Sequence, residues 1–333
     1  MLLTVDIGNT NVTVGLFHGD DCIFFGRLAS HVRRTADEYA ILTRQLLEMN
    51  GIERGRIQAI VLGSVVPALT TVMDDAMLRA VGMRAFIVTH AVRLPVRNLY
   101  AKPGEVGVDR LANAAGGIAR YGAPLLVVDL GTAVTIDVIS RDHEYLGGAI
   151  LPGIEMSAEA LSRRTARLPL AAPRCPDQAI GRTSVESIRS GIMHGLVGAI
   201  DHLIDLTWDQ LGYRTDVVAT GGHSSTILAE SRHIRHEDAE ITLFGLTRIW
   251  HINHPADAAP TPARTDADAA PQAGTRKPAT DRARATTRAR KSTRARKTTR
   301  SAAAGEPPAA AKRKPAPAPA PPPRKRTPRR KKE

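Results

Sequence analysis

Short apolar runs alternate with longer stretches of helical periodicity along most of the chain. Runs of about four to eight apolar residues predict buried strands, because such runs fill both faces of a covered sheet. The predicted strands begin at Leu2 and Leu125 and cover residues 59–66, 84–88 and 216–220. Apolar residues spaced three and four apart predict helices over residues 35–49, 69–81, 107–121 and 184–211. This alternation is typical of a mixed α/β fold in which helices cover sheets.

The strongest feature of the pattern is an internal repeat. One apolar run leads into Asp6-Ile7-Gly8-Asn9-Thr10 and a β-rich return run; another leads into Asp129-Leu130-Gly131-Thr132 and a second return run. Each copy therefore predicts a buried strand, a glycine-containing turn and a return strand. Two copies predict two similar α/β domains, over residues 1–120 and 121–254, which face each other across a cleft.

The turn after each aspartate has the composition of a phosphate-binding site. Glycine lets backbone N–H groups approach a phosphate, hydroxyls add donors, and a carboxylate supplies an oxygen ligand for Mg²⁺. These groups are provided on the first hairpin by Asp6, Gly8, Thr10, Asn11 and Thr13. A single copy would be interpreted as an ordinary hairpin with Asn9 in a left-handed turn. Two copies favour nucleotide binding.

The lysines of the chain bear on which kind of nucleotide-binding site is present. Lys102 is the only lysine before the last quarter of the chain, and the sequence Gly-x-x-x-x-Gly-Lys-Ser/Thr does not occur. A P-loop is therefore excluded. Phosphate binding would then rest on backbone amides, hydroxyls, arginine and metal, as in actin-like ATPases and sugar kinases.

A second candidate site lies in the loop that precedes the predicted helix 107–121. The loop carries Tyr100 and brings Gly107, Asp109 and Arg110 to the start of the helix. Arg110 could bind a carboxylate or a phosphate there, and Asp109 could take a proton from an attacking hydroxyl. The residues alone leave a structural alternative open, in which Asp109 caps the helix and Arg110 is a surface partner.

Charge divides the chain into two parts. Between Asp257 and Glu333 there are 22 lysines and arginines against 6 acidic residues, whereas the rest of the chain has 24 basic and 27 acidic residues. Residues 255–333 contain no Val, Ile, Leu, Met, Phe, Tyr or Trp. Such a segment cannot bury enough apolar surface to fold, so a disordered tail is predicted. Its charge makes nonspecific nucleic-acid binding a hypothesis, and an inert extension is the alternative.

The cysteines and the hydropathy pattern bear on the compartment. Cys22 and Cys175 form no disulfide framework and no metal-binding spacing, which favours a reducing cytoplasm. The apolar run at the start is interrupted by Asp6, so no signal peptide is predicted. No apolar run reaches the roughly 20 residues that a membrane-spanning helix needs.

Several motifs together resemble the type III pantothenate kinase family. They lie in order and at compatible spacing from residue 1 to about residue 251. The motifs are Asp6-Ile7-Gly8-Asn9-Thr10-Asn11, Asn98-Leu99-Tyr100, Gly107 to Asn113, Asp129-Leu130-Gly131-Thr132-Ala133, Gly147 to Gly153 and Thr220-Gly221-Gly222. The resemblance implies an actin-like (ribonuclease H-like) fold and a homodimeric enzyme that phosphorylates pantothenate with ATP, the first step of coenzyme A synthesis.

The resemblance also implies a role for each matching residue. Asp109 would be the general base, and Asp129 the ligand of a monovalent cation, K⁺ or NH₄⁺. The expected ATP-binding residues are Asp6, Ile7, Gly8, Asn9, Thr10, Asn11, Val12, Thr13 and Thr132, with Gly221 and Gly222 near the nucleoside. The expected pantothenate-binding residues are Tyr100, Gly107, Val108, Asp109, Arg110 and Ser184. A family threonine matches Ser184 in the best alignment, and Thr183 is one position away, so either hydroxyl is a candidate.

Two other functions stay open at this point. A non-enzymatic accessory factor in transcription would keep the fold and could use the basic tail to bind nucleic acid. The presence of Asp6, Asp109, Arg110 and Asp129 argues against lost catalysis. A chaperone-like or cytoskeletal ATPase of the same fold is disfavoured, because it would have no use for the Tyr100 loop.

Overall fold

The computed structural model describes residues 1–255, so the predicted disordered tail, apart from its first residue, lies outside the described part.

The first sheet is built around the strand that carries Asp6. The strands of the first sheet are β1 (Leu2–Ile7), β2 (Asn11–His18), β3 (Asp21–Ala29), β4 (Ala59–Ser64) and β5 (Phe86–Ile87). Their order is β3-β2-β1-β4-β5; β2 is antiparallel to β1 and β3, and β4 is parallel to β1 and β5.

Two helices cover one face of this sheet, α1 (Ala36–Met49) and α2 (Pro67–Val81). α1 begins where predicted because Thr35 and Glu38 form a reciprocal capping box, in which each side chain accepts from the other residue's backbone N–H. Tyr39 from α1 and Met73 and Met77 from α2 are fully buried against the apolar side chains of the sheet. Burial of these large side chains holds the layer in place.

The second sheet repeats the plan of the first. Its strands are β6 (Arg97–Asn98), β7 (Leu125–Leu130), β8 (Ala133–Ile139), β9 (Glu144–Pro152), β10 (Asp216–Gly221) and β11 (His236–Glu237). Their order is β11-β10-β7-β8-β9-β6. Without β6, this order and its strand directions match those of the first sheet, with β7 in the place of β1. The repeated topology agrees with the prediction of two similar actin-like α/β halves.

Three helices belong to the second sheet: α4 (Ile154–Arg164), α5 (Ser184–Leu211) and α6 (Ser224–Glu230). α5 has the predicted bounds. A second capping box, formed by Thr183 and Glu186, starts it, and Gly212 ends it in a left-handed conformation with φ of +73°. Ile200 and Ile204 of this helix are fully buried against the sheet.

A helix pair packs against both sheets. α3 (Val108–Tyr121) contacts β4 of the first sheet and β7 and β8 of the second, and α7 (Ile241–Asn253) packs along α3 and against β1, β2 and β4. The two helices approach closely at Gly116 and Gly245. A Cβ atom on Gly245 would lie 1.8 Å from the Ala112 carbonyl oxygen. Glycine is therefore required where the two backbones meet.

Replacing Gly245 by alanine should destabilise the protein. The added methyl group would have to push the α3 backbone away, and overpacking of this kind costs about 1–3 kcal/mol. Gly195→Ala is the matched control, because Gly195 also lies inside a helix, but beyond its chain neighbours and the backbone of that helix no atom of residues 1–255 lies within 4 Å of the new Cβ atom. That change should stabilise by about 0.5–1 kcal/mol. Thermal unfolding of the two variants checks the contrast, and equal melting temperatures would contradict the close packing of α3 and α7.

The described residues belong to one compact unit. Its two sheets correspond to the two halves of the repeat, and the division into domains near residue 120 stays a prediction. Within residues 1–255, no helix is both long enough and apolar enough to cross a bilayer.

Candidate active site

The first predicted phosphate hairpin joins β1 to β2. Asp6 lies near the end of β1 and pairs with Thr13 on β2. The turn between them is closed by a hydrogen bond of 2.9 Å from the Gly8 N–H to the Asn11 carbonyl. Ile7 is fully buried on β1 and anchors the base of the hairpin in the core. The apolar strand therefore fixes the position of a polar, glycine-containing tip.

The tip of this hairpin meets the second hairpin. Asn9 and Thr10 are exposed there. A left-handed conformation of Asn9 is wrong, because among residues 1–255 only His143 has a positive φ without being glycine. Thr10 Oγ1 lies 2.7 Å from Oγ1 of Thr132, in the turn between β7 and β8. The two predicted phosphate-binding turns, far apart in sequence, are therefore in contact.

Glycines hold two more loops against the second hairpin. A Cβ atom on Gly153, after β9, would lie 2.3 Å from the Thr132 carbonyl oxygen. Gly221, at the end of β10, has a φ of +96°, and its Cβ atom would lie 2.6 Å from the Leu130 carbonyl carbon. Only glycine fits both positions, so the hairpin is flanked closely on both sides. Gly222, which follows, is exposed.

Three carboxylates near the hairpins and the start of α3 affect one another electrostatically. Burial raises the pKa of Asp6 well above its usual value, and the negative charges of Asp109 and Asp129 raise it further. The three predicted acidic site residues therefore lie near enough to repel one another. A bound cation would relieve this repulsion.

Asp109 lies in the first turn of α3, and the helix is capped by Gly107. Asp109 is therefore not the N-cap, and the structural alternative for this residue is wrong. Its Oδ1 accepts a hydrogen bond of 2.8 Å from the Arg110 N–H. A Cβ atom on Gly107 would lie 2.3 Å from that oxygen, so glycine leaves room for the carboxylate. Burial raises the pKa of Asp109, which makes it a stronger base.

Arg110 is buried and oriented by an acid that the sequence analysis missed. Its Nε donates to Oδ1 of Asp137 on β8 at 2.7 Å, and the Tyr145 hydroxyl donates to the same oxygen at 2.6 Å. The Arg110 Nη2 atom is buried and has no hydrogen-bond partner among the described residues. A buried donor of this kind requires a partner, and an anionic ligand would supply one.

Asp129 is also oriented by neighbours. Its Oδ2 accepts from the Asn113 side chain at 3.0 Å, and Asn113 accepts in turn from the Thr242 hydroxyl at 2.6 Å. Burial raises the pKa of Asp129 to about 6, although the hydrogen bond from Asn113 acts in the opposite direction. α3 and α7 thus fix an acid of the second sheet.

The remaining predicted substrate residues lie at two places. The Tyr100 ring is 6.4 Å from the Tyr145 ring, beside Arg110 and its partners. The Thr183 hydroxyl caps α5, because its oxygen accepts a hydrogen bond from the Glu186 N–H. Ser184 is exposed at a groove between α4 and α5, and no hydrogen bond within residues 1–255 joins it to the Tyr100–Arg110 loop. Ser184 has the freer hydroxyl of the two candidates.

Sequence reasoning missed Asp137 and the role of Asn113. Asp137 lies inside an apolar strand and is fully buried. A lone acid among apolar residues of a predicted strand is a signal that it has a buried partner. Asn113 gave no such signal, because its contact with Asp129 depends on how α3 packs against β7.

The donor set fits a nucleotide with its metal better than a metal alone. No group of three or more His, Cys, Asp or Glu side chains within residues 1–255 is placed to hold a metal ion. A divalent cation here would therefore need phosphate oxygens among its ligands, as is usual for Mg²⁺. Asp6 is the carboxylate that the first hairpin offers to such an ion.

This chain is similar to several known proteins. A model of the family "Type III pantothenate kinase" matches residues 2–206. The type III pantothenate kinase of Finegoldia magna is 40% identical over 256 residues, covering 76% of this chain and 98% of that protein. That of Myxococcus xanthus is 41% identical over 254 residues, covering 76% and 99%. The solved activator of 2-hydroxyisocaproyl-CoA dehydratase from Clostridium difficile matches 78% of this chain and 98% of its own at 11% identity, with a TM-score of 0.46. With matches of this extent and identity among the kinases, the chain belongs to the type III pantothenate kinase family.

Proposed function

We propose that the cleft transfers the γ-phosphate of ATP directly to the primary hydroxyl of pantothenate, giving 4'-phosphopantothenate and ADP. This reaction is the first step of coenzyme A biosynthesis. The observation that carries the proposal is the 2.7 Å contact between Thr10 and Thr132, which joins the two phosphate hairpins. Asp6 on the first hairpin is close enough to Asp109 for the charge of Asp109 to raise its pKa. A non-enzymatic transcription factor is not favoured, since relatives about 40% identical are kinases.

The ATP side of the site consists of the two hairpins. The polyphosphate would lie against the backbone N–H groups and hydroxyls of residues 6–13 and against Thr132, which act as fixed donors to its oxygens. The nucleoside would extend towards Gly221 and Gly222, whose backbone leaves room for a close approach. Such positioning accounts for much of the rate enhancement in phosphoryl transfer.

The acceptor side consists of the Tyr100 loop and the start of α3. The free Nη2 of Arg110 would bind the pantothenate carboxylate, and Tyr100 would contact the rest of the molecule. Ser184 lies at a separate place, the groove between α4 and α5, so its expected contact with pantothenate would have to come from a second copy of the chain. Asp109 then accepts the proton of the primary hydroxyl. As the new O–P bond forms, the bond between the γ-phosphorus and the ADP oxygen breaks, and ADP leaves with the electron pair.

Two cations fit the acidic part of the site. Asp6 would hold the divalent cation together with ATP phosphates, and that ion would neutralise charge on the phosphate oxygens. Asp129, fixed by Asn113, would hold K⁺ or NH₄⁺. The monovalent site is tested by turnover in K⁺, NH₄⁺ and Na⁺ at equal ionic strength. Equal turnover in all three salts would exclude it.

The reaction is tested by its product. Purified protein incubated with ATP, Mg²⁺, K⁺ and pantothenate should form a compound heavier than pantothenate by one phosphoryl group, as seen by mass spectrometry. The control is the same mixture with AMP in place of ATP, because AMP has no γ-phosphate to transfer. Absence of the phosphorylated product with ATP would rule out the proposed function.

A homodimer is proposed on the basis of family membership and of an apolar surface. α4 and the first half of α5 line a groove of about 1100 Å³, and Met156 and Leu161 are exposed large apolar residues beside it. An exposed apolar surface of this kind is suited to covering by a second copy. Light scattering at micromolar concentration tests the assembly, and a monomeric mass would contradict it.

The basic tail is proposed to bind nucleic acid without sequence preference, on the basis of its 22 lysines and arginines against 6 acidic residues. It has no aromatic residues for stacking on bases, so binding should weaken steeply with salt. A low-salt DNA mobility-shift assay on full-length protein and on a form ending at residue 254 tests this. Equal shifts would exclude the tail as the cause.

Cytoplasmic location is proposed from the cysteines. Cys22 and Cys175 are both free within the described chain. Unpaired cysteines are typical of a reducing compartment. Cell fractionation checks the location, and recovery outside the cytoplasm would contradict it.

A further inference from the structure

The strand register places one further cation beside the first phosphate hairpin. Asp6 on β1 pairs with Thr13 on β2, and Thr13 pairs with Arg27 on β3. Residues directly opposite on neighbouring strands point to the same face of the sheet. The irregularity between β2 and β3 lies at Leu16 and Phe17, away from this row. Arg27 therefore shares the face on which Asp6 meets the other two acids of the cleft.

Arg27 is close enough to the hairpins to act on them. Neighbouring strands are about 4.8 Å apart, so the Arg27 backbone is two strand spacings from Asp6, and a long side chain can span most of that distance. Its positive charge also contributes to lowering the pKa of Asp129, on the central strand of the other sheet, against the larger effect of burial. Arg27 therefore lies in the strand row of Asp6 in the first sheet, and its charge affects Asp129 in the second sheet.

The guanidinium of Arg27 has no polar partner among residues 1–255. Within residues 1–255 it makes no hydrogen bond and no ion pair, and its contact is with the Phe25 ring at 5.8 Å. Two further cations near the site have other partners: Arg110 is ion-paired with Asp137 and is proposed to bind the pantothenate carboxylate, and Lys102 is ion-paired with Glu105. Arg27 is therefore free to bind an anion.

The second sheet shows that the fold does not demand a cation at this position. There Asp129 pairs with Thr135, and Thr135 pairs with Ile150 on β9. Ile150 is thus the counterpart of Arg27 in the repeat, and it is exposed as well. An apolar residue occupies the equivalent position, so the fold alone does not account for the charge of Arg27.

We propose that Arg27 is a catalytic residue that contacts the γ-phosphate of ATP and stabilises its charge during transfer. The inference rests on the proposed function for the identity of the reaction. Phosphoryl transfer gathers negative charge on the γ-phosphate oxygens, and a guanidinium can donate two parallel hydrogen bonds to them. The site has no P-loop lysine, and Arg27 occupies the position from which a side chain can supply this charge.

The test uses the full-length protein and three substitutions. Arg27→Met removes the charge and keeps much of the side-chain length, and Arg27→Lys keeps the charge without the planar fork. Arg54→Met is the control, because Arg54 is exposed and has no ion pair among residues 1–255. It lies in the turn that adjoins the first residue of the chain, at the opposite end of β1 from Asp6. Each variant is compared with the wild type in kcat, in both KM values and in thermal unfolding.

Arg27→Met should lower kcat by about 10²-fold, as loss of one charged transition-state donor does. The pantothenate KM and the melting temperature should stay near wild type, because the side chain contacts neither the acceptor nor the core. Arg27→Lys should retain part of the activity, and added guanidinium ion should restore part of it to Arg27→Met. Arg54→Met should be unaffected. A kcat within twofold of wild type for Arg27→Met, or a lower melting temperature as its sole effect, would overturn the inference.

A separate measurement keeps the inference independent of the proposed acceptor. Equilibrium binding of ATP and of ADP is measured for wild type and Arg27→Met. A larger loss of affinity for ATP than for ADP supports the γ-phosphate contact even if pantothenate is not the acceptor. Equal losses, or none, would contradict it. Failure of wild type to phosphorylate pantothenate would count against the proposed function alone.

Discussion

Asp109→Asn should lower kcat by about 10²- to 10⁴-fold, the range over which a positioned general base contributes. The amide keeps the shape of the carboxylate and can still accept the hydrogen bond from the Arg110 N–H. It cannot accept the proton of the attacking hydroxyl. The pantothenate KM should therefore change little while turnover is nearly lost. Steady-state kinetics with varied pantothenate separates the two parameters.

The pH dependence gives the same residue a second test. Asp109 acts as a base only when it is ionised, and burial raises its pKa above the usual value. Wild-type kcat should therefore fall as the pH drops through that raised pKa, and Asp109→Asn should lose this dependence. Asp142→Asn is the matched control, because Asp142 is exposed in the turn between β8 and β9. A kcat for Asp109→Asn within threefold of wild type would remove Asp109 from the base role.

Arg110→Lys should raise the pantothenate KM by about 10- to 100-fold. A lysine ammonium cannot donate both to Asp137, as Nε does, and to the substrate, as the free Nη2 is placed to do. Loss of a charge-assisted hydrogen bond costs about 1.5–3 kcal/mol, and each 1.4 kcal/mol is about tenfold in affinity. At saturating pantothenate, kcat should fall much less than KM rises.

A neutral analogue separates carboxylate binding from general damage. The alcohol analogue of pantothenate has no carboxylate, so wild type should prefer pantothenate and Arg110→Lys should lose most of that preference. Arg120→Lys is the control, since Arg120 lies on the same helix and is ion-paired with Asp238 and Glu240. An unchanged preference in Arg110→Lys would show that Arg110 does not bind the carboxylate.

The hairpins were predictable because local chemistry determines them. An apolar run that ends in Asp and a glycine-containing turn indicates a buried strand with a polar tip, and the second copy made coincidence improbable. Caps were equally local: Thr35 with Glu38 and Thr183 with Glu186 set the starts of α1 and α5. What these signals could not give was the contact between Thr10 and Thr132, which depends on how the two sheets are placed.

The support for the site was harder to predict, because it comes from strand pairing and helix packing. Asp137 orients Arg110 only because β8 passes beside the start of α3. Asn113 donates a hydrogen bond to Asp129 because α3 packs on β7. Gly245 in turn allows α7 to pack closely against α3. Such long-range contacts leave little trace in local sequence pattern. Arg27 is a similar case, since its place in the row with Asp6 and Thr13 follows from strand register.

In the proposed reaction, ATP bound at the two hairpins gives its γ-phosphate to pantothenate. The decisive measurement is ADP release by wild-type protein in a coupled assay, with and without pantothenate, in the presence of Mg²⁺ and K⁺. ADP release should depend on pantothenate and should match the amount of phosphorylated product one to one. ADP release at the same rate without pantothenate, or no release in either case, would show that the protein does not phosphorylate pantothenate.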